Sequence, residues 1–148
     1  MQKKHVILLA LLLPCVAPAA DLSRLFTCDM GAAEFFKPLV QRRLIDLNAY
    51  KNEDSISYFR LIKMKPGMNR MAEATAFGMQ ITGVIGYVSD QMLFRRGPGT
   101  EPMNTYGLVV TGDVEKVKAG LSAMGASKAV ATQAEKNTTE IYCEESSR

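Results

Sequence analysis

The sequence predicts an α+β fold, an antiparallel sheet with two helices packed on one face. Three observations carry this expectation. Two internal segments, Ile56–Met64 and Ala76–Val88, place apolar residues at alternate positions, the period of a strand. A third, beginning at Asp113, spaces Val114, Val117, Leu121 and Met124 by three, four and three residues, the period of a helix. Near the end, Lys128–Glu135 and Thr138–Cys143 flank Lys136-Asn137 as the two arms of a hairpin. The element order suggests two successive β-α-β-β units, without residue-level similarity between the halves.

Taken in order, residues 1–19 read as a secretory signal peptide. Lys3 and Lys4 supply positive charge, Val6–Leu13 is an unbroken apolar run, and Ala17-Pro18-Ala19 has the form of a cleavage site, with the cut after Ala19. The apolar run is well short of the roughly 20 residues that span a bilayer. Pro14 stands where lipidation at Cys15 would want a small residue, so a lipid anchor is not expected. Residues 20–148 then form a single domain, long enough to bury a core.

Leu25–Cys28 (LFTC) and Glu140–Cys143 (EIYC) both have strand-like composition. Between them, Asp29 is placed to cap a helix carrying Ala32, Ala33, Phe36, Val40 and Leu44, which Pro38 should kink or divide. Ile56–Met64 is apolar on both faces, as a central strand would be. In Ala76–Val88, Phe77, Met79, Ile81, Ile85 and Tyr87 fall on one face, with Gly83 and Gly86 marking a bend or bulge. Gln91–Arg96 is read as a return strand through a turn at Ser89-Asp90. Residues 106–111 (YGLVVT) form a short buried strand, Asp113 caps the following helix, and Gly125 ends it.

Cys28 and Cys143 are expected to form a disulfide. Export places them in an oxidising compartment. A bridge closing about 115 residues would contribute roughly 4–5 kcal/mol on chain-entropy grounds. A C-x-x-C redox pair and a metal site fit the spacing less well.

Charge and composition exclude several function classes. The chain carries 18 basic and 15 acidic residues, and loss of Lys3 and Lys4 with the leader leaves it near neutral, which does not suit nucleic acid. The one histidine, His5, lies in the leader, so residues 20–148 lack the usual general base and the commonest zinc ligand. No S-x-x-K, G-x-S-x-G or Walker sequence occurs. Gly97-Pro98-Gly99 is a G-x-G in which Pro98 removes an amide that a phosphate would need.

Three sets of residues remain as candidates. Arg95 and Arg96, with Phe94, lead into a loop rich in Gly and Pro, where binding residues are commonly placed; arginine grips carboxylate or phosphate in bidentate fashion. Met64, Met68 and Met71 are the alternative. Thioethers select Cu(I), and the M-x3-M-x2-M spacing resembles methionine motifs of periplasmic copper carriers, although Lys63, Lys65 and Arg70 oppose a cation. The acids Glu34, Asp46, Glu53, Asp54, Glu73 and Asp90 leave a carboxylate-dependent hydrolase as a further alternative. Asn137-Thr138-Thr139 matches a glycosylation sequon, of little weight behind a leader of bacterial type. The expectation is a small periplasmic or secreted binding protein, non-catalytic and without a cofactor. An inhibitor, an immunity protein or an envelope accessory subunit would fit, with another envelope or secreted protein as partner, no nucleic acid, and no membrane span after loss of the leader.

Overall fold

The structure, a computed structural model, describes residues 19–89 and 91–146. The signal-peptide reading therefore falls almost entirely outside the described residues. A 3-10 helix at Ser23–Thr27 is followed by α1 (Ala32–Gln41), β1 (Lys51–Glu53), β2 (Ile56–Arg60), the short α2 (Arg70–Glu73) and β3 (Thr75–Ala76). After these come β4 (Met79–Tyr87), β5 (Thr105–Thr111), α3 (Val114–Ala123), β6 (Val130–Glu135) and β7 (Thr138–Glu144). Neighbouring strands are antiparallel in the order β1-β2-β4-β5-β7-β6, with β3 paired to the start of β4, and the sheet curls into a half-barrel. The predicted class, a mainly antiparallel sheet with two main helices, is the one observed, and β5-α3-β6-β7 forms one β-α-β-β unit.

One face of the sheet and the helices enclose the main core, which includes Phe26, Phe36, Phe59, Val84, Leu108 and Ile141. Phe35 stacks on Tyr106 at 4.9 Å, and the Tyr106 hydroxyl donates to the Leu25 carbonyl, joining α1 and the 3-10 helix to β5. β4 does not keep a single alternation. Its register against β5 shifts between Ile81 and Gly83. Ile81 and Val84 thus both join the main core, whereas Ile85 joins a smaller cluster with Tyr58 and Val109. The sequence pattern had placed Ile81 and Ile85 on one face; the bulge, at the position Gly83 suggested, moves the second half of the strand by one step.

Other expectations are corrected. LFTC is not a strand: residues 23–27 form the 3-10 helix, and Cys28 follows in the left-handed region at φ 61°. Gly31, not Asp29, occupies the N-cap of α1, and the Glu145 carboxylate accepts from the Ala32 N–H. Pro38 is accommodated on the exposed side of one ten-residue helix. β2 stops at Arg60, after which Leu61 makes only an isolated bridge to Ile45. The long strand begins at Met79, because Phe77 and Gly78, with φ of 52° and 73°, make a tight turn back to β3.

Gln91–Arg96 contains no strand. β4 is already paired to β2 on one side and β5 on the other, leaving that segment no edge to join. The later expectations hold. Asp113 accepts from the Glu115 N–H, Gly125 follows the last helical turn at φ 67°, and β6 turns into β7 at Lys136-Asn137 with Asn137 at φ 62°.

Cys28 and Cys143 are joined by a disulfide, with their Cα atoms 5.4 Å apart. Beside it, Glu145 also accepts from the Asn104 amide at 3.0 Å, so both ends of the domain are tied at one corner. Among the described residues no helix is long and apolar enough to cross a membrane. The bridge is compatible with an exported protein.

Candidate functional site

The face of the sheet turned away from the helices forms a concave cleft of about 530 Å³. Its geometry follows from the strand register. Lys51, Tyr58, Ile85, Gly107, Tyr142 and Val130 are successive cross-strand neighbours, one line running across six strands. A parallel line runs Arg60, Gly83, Val109, Glu140 and Thr132. Both lines have a glycine in a central strand. At Gly107 a Cβ would stand 2.2 Å from the Ile141 carbonyl oxygen and 2.7 Å from Tyr142 Cβ, so only glycine lets β5 and β7 approach this closely. Ile85 and Val109 supply an apolar floor, and Tyr58 and Tyr142 pack against it.

The curl of the sheet is visible in its electrostatics. Tyr58 and Glu140 lie on strands three spacings apart, roughly 14 Å in a flat sheet. Their side chains nevertheless meet. The Tyr58 phenol, 7% exposed, is held well above its ordinary pKa by burial, then by the Glu140 charge and a hydrogen bond to that carboxylate. Glu135 and Glu140 also act on Tyr50 and Lys51 across the opening. The two edges of the half-barrel, β1 and β6, therefore face each other over one cleft. The Tyr142 phenol is raised in the same way, by burial and then by Glu144 and Glu140.

Cations already sit on aromatic faces at one wall. Lys51 Nζ lies 4.7 Å from the Tyr58 ring centroid, and the Arg60 guanidinium carbon lies 4.7 Å from that of Tyr50. Lys51 also forms a short ion pair with Glu53, which lifts its pKa. The cleft lining holds one base, Lys51, against four acids, Glu53, Asp54, Glu140 and Glu144. Among the described residues the last three make no salt bridge.

Of the residues singled out from sequence, Glu53 and Asp54 lie in the cleft, and the arginines, Phe94 and the methionines lie elsewhere. Phe94, 8% exposed, is edge-on to Phe36 at 4.9 Å and to Phe59 at 5.7 Å, where it anchors the 91–104 segment to the core. Arg95 and Arg96 are exposed; Arg96 donates to the Gly99 carbonyl at 3.2 Å, and the Gly97 N–H donates to Ser55 Oγ at 2.7 Å. Met68 is 63% exposed, Met64 is half-buried, and Met71 packs against the core. Of the acids, Glu53 and Asp54 line the cleft, Asp46 accepts from the Asn48 N–H, Glu73 accepts from the Gly67 N–H, and Asp90 lies outside the described residues. Among the described residues no group of three or more His, Cys, Asp or Glu is placed to hold a metal.

Sequence reasoning did not pick out Tyr58, Glu140, Tyr142 or Glu144 as site residues. A signal was present in TEIYCE, residues 139–144. Glu140, Tyr142 and Glu144 alternate with the buried Thr139, Ile141 and Cys143, which makes them the open side of a strand whose other side is core. Fold and site together describe a small α+β half-barrel with an acidic, tyrosine-walled cleft. No protein-family model, curated protein or solved structure matches the chain.

Proposed function

We propose that this chain is a small exported binding protein, periplasmic or secreted, that acts without catalysis and engages another envelope or secreted protein through its concave sheet face. The carrying observation is the cleft of about 530 Å³, with an apolar floor, two tyrosine walls and three carboxylates, Asp54, Glu140 and Glu144, that make no salt bridge among the described residues. Aromatic residues are enriched at recognition surfaces, and charge around them favours a partner of opposite sign. The bridge between Cys28 and Cys143 supports the reading in a second way, because a rigid scaffold loses little entropy on docking. An inhibitor, an immunity protein and an accessory subunit all work by such docking. In the 94–96 segment, Phe94 packs on Phe36 and Arg96 donates to the Gly99 carbonyl of its own loop.

The test is capture from a periplasmic extract with the bridged protein immobilised. A specific partner should be recovered by the wild type and lost with Tyr142→Ala, while Arg95→Ala/Arg96→Ala retains it. Recovery unaffected by Tyr142→Ala would remove the cleft from the reading.

One observation favours a second reading. Glu53, Glu140 and Glu144 converge on one cleft, as a carboxylate-dependent hydrolase requires. Turnover of a glycoside panel that disappears with Glu140→Gln would establish it in place of binding alone.

A further inference from the structure

We infer that the occupant of the cleft is an extended polypeptide segment carrying lysine or arginine, which adds as a strand along the free edge of β6 and sets its cationic side chains among Glu140, Glu144 and the tyrosines. This rests on the binding reading above and specifies its ligand.

Two independent features lead to it. The first is the pair of sheet edges. β1 is protected in the ways edges usually are: it is three residues long and bears Lys51. β6 is six residues long, is almost wholly exposed, and contains neither proline nor lysine. Its bulge lies at the turn end, between Gln133 and Glu135, leaving Val130–Gln133 in regular register with β7. Among the described residues no strand pairs with its outer side. The Val130–Gln133 stretch, free of charge, proline and bulge, offers a row of main-chain donors and acceptors to an added strand.

The second is charge. The whole chain has a formal net charge of +3, yet the cleft lining beside this edge holds four acids to one base. Three of those acids have no salt-bridge partner among the described residues. The protein's own Lys51 already rests on Tyr58, so a tyrosine face in this cleft accommodates an ammonium group, and Arg60 rests in the same way on the neighbouring Tyr50. Strand addition sets alternate side chains toward one face, so a segment with a basic residue at every second position would direct all its cations into the cleft.

Fluorescence anisotropy with the bridged protein tests this. The probe is a labelled six-residue peptide of alternating lysine and valine, matched to the length of β6. Its controls are the same peptide with glutamate for lysine, and the lysine peptide N-methylated at alternate amides. The lysine peptide should bind. Its affinity should fall about tenfold or more with the isosteric pair Glu140→Gln/Glu144→Gln, and fall again as salt is raised. The glutamate peptide should not bind, and N-methylation should abolish binding by removing edge hydrogen bonds. Equal binding of both charge types, indifference to the glutamine pair, or unimpaired binding of the N-methylated peptide would each overturn the inference. A stable dimer sealed through β6 would also overturn it, assigning the edge to a second copy. If no peptide binds but extract capture still depends on Tyr142, the inference fails while the binding reading stands. If capture too is indifferent to Tyr142, both fail.

Discussion

The ring of Phe36 occupies the space that a side chain at Gly86 would need. A Cβ built on Gly86 would come 2.5 Å from Phe36 Cε2 and 2.4 Å from the Thr105 carbonyl oxygen. This contact seats α1 on the middle of the sheet and so leaves the opposite face open. Gly86→Ala should destabilise the fold by about 3 kcal/mol or more, the upper end of overpacking costs, because one of the two clashes is with backbone. Phe36→Leu should not rescue it, since the Thr105 carbonyl remains. Urea unfolding of the two single variants and the double variant measures this.

Removing the bridge with Cys28→Ser/Cys143→Ser should lower stability by about 2–5 kcal/mol, given a sequence separation of 115 residues. A reductant should produce the same loss in the wild type and none in the variant. Chemical denaturation with and without reductant checks both statements.

Asn69 is buried, and its amide donates to the carbonyls of Leu44 at 2.9 Å and Ile62 at 2.7 Å. Its oxygen also accepts from the Ala72 N–H, which caps α2. Asn69→Ala would leave two carbonyls without their donor, and should cost about 2–3 kcal/mol. Thermal unfolding followed by circular dichroism reads the loss.

The tyrosines set the alkaline limit. Tyr50, Tyr58, Tyr106 and Tyr142 all have pKa values raised above 10.0, with burial the largest cause in each case. A group with a raised folded-state pKa binds its proton more tightly in the native state than in the unfolded one. Its contribution is complete below the unfolded value near 10 and is lost as pH rises toward the folded value. Stability should therefore decline above about pH 10, and Tyr58→Phe should make the decline shallower. Urea midpoints between pH 8 and 11, alongside phenolate absorbance, test the sign.

Legibility followed the range of the interactions involved. Asp113 and Gly125 bound α3, and Lys136-Asn137 turns a hairpin, through contacts within a few residues, so composition and spacing revealed them. Gln91–Arg96 follows a turn-like Ser89-Asp90 as a return strand would, yet β4 is already paired on both sides, and Phe94 is drawn into the core as an anchor. Glu145 caps α1 from more than a hundred residues away, which no local reading of Asp29 could anticipate.

The sequence alone determined the α+β class, the α3 and β6–β7 elements and the pairing of Cys28 with Cys143, because periodicity, capping and cysteine number are properties of the linear chain. Only the tertiary structure decided where a ligand could sit. The cleft depends on how far the sheet curls, on the bulge in β4 that sends Ile85 to the open face, and on the meeting of Tyr58 with Glu140 across three strand spacings. Those are contacts between residues distant in the chain, and they exist only once strands that could pair in several orders have taken one.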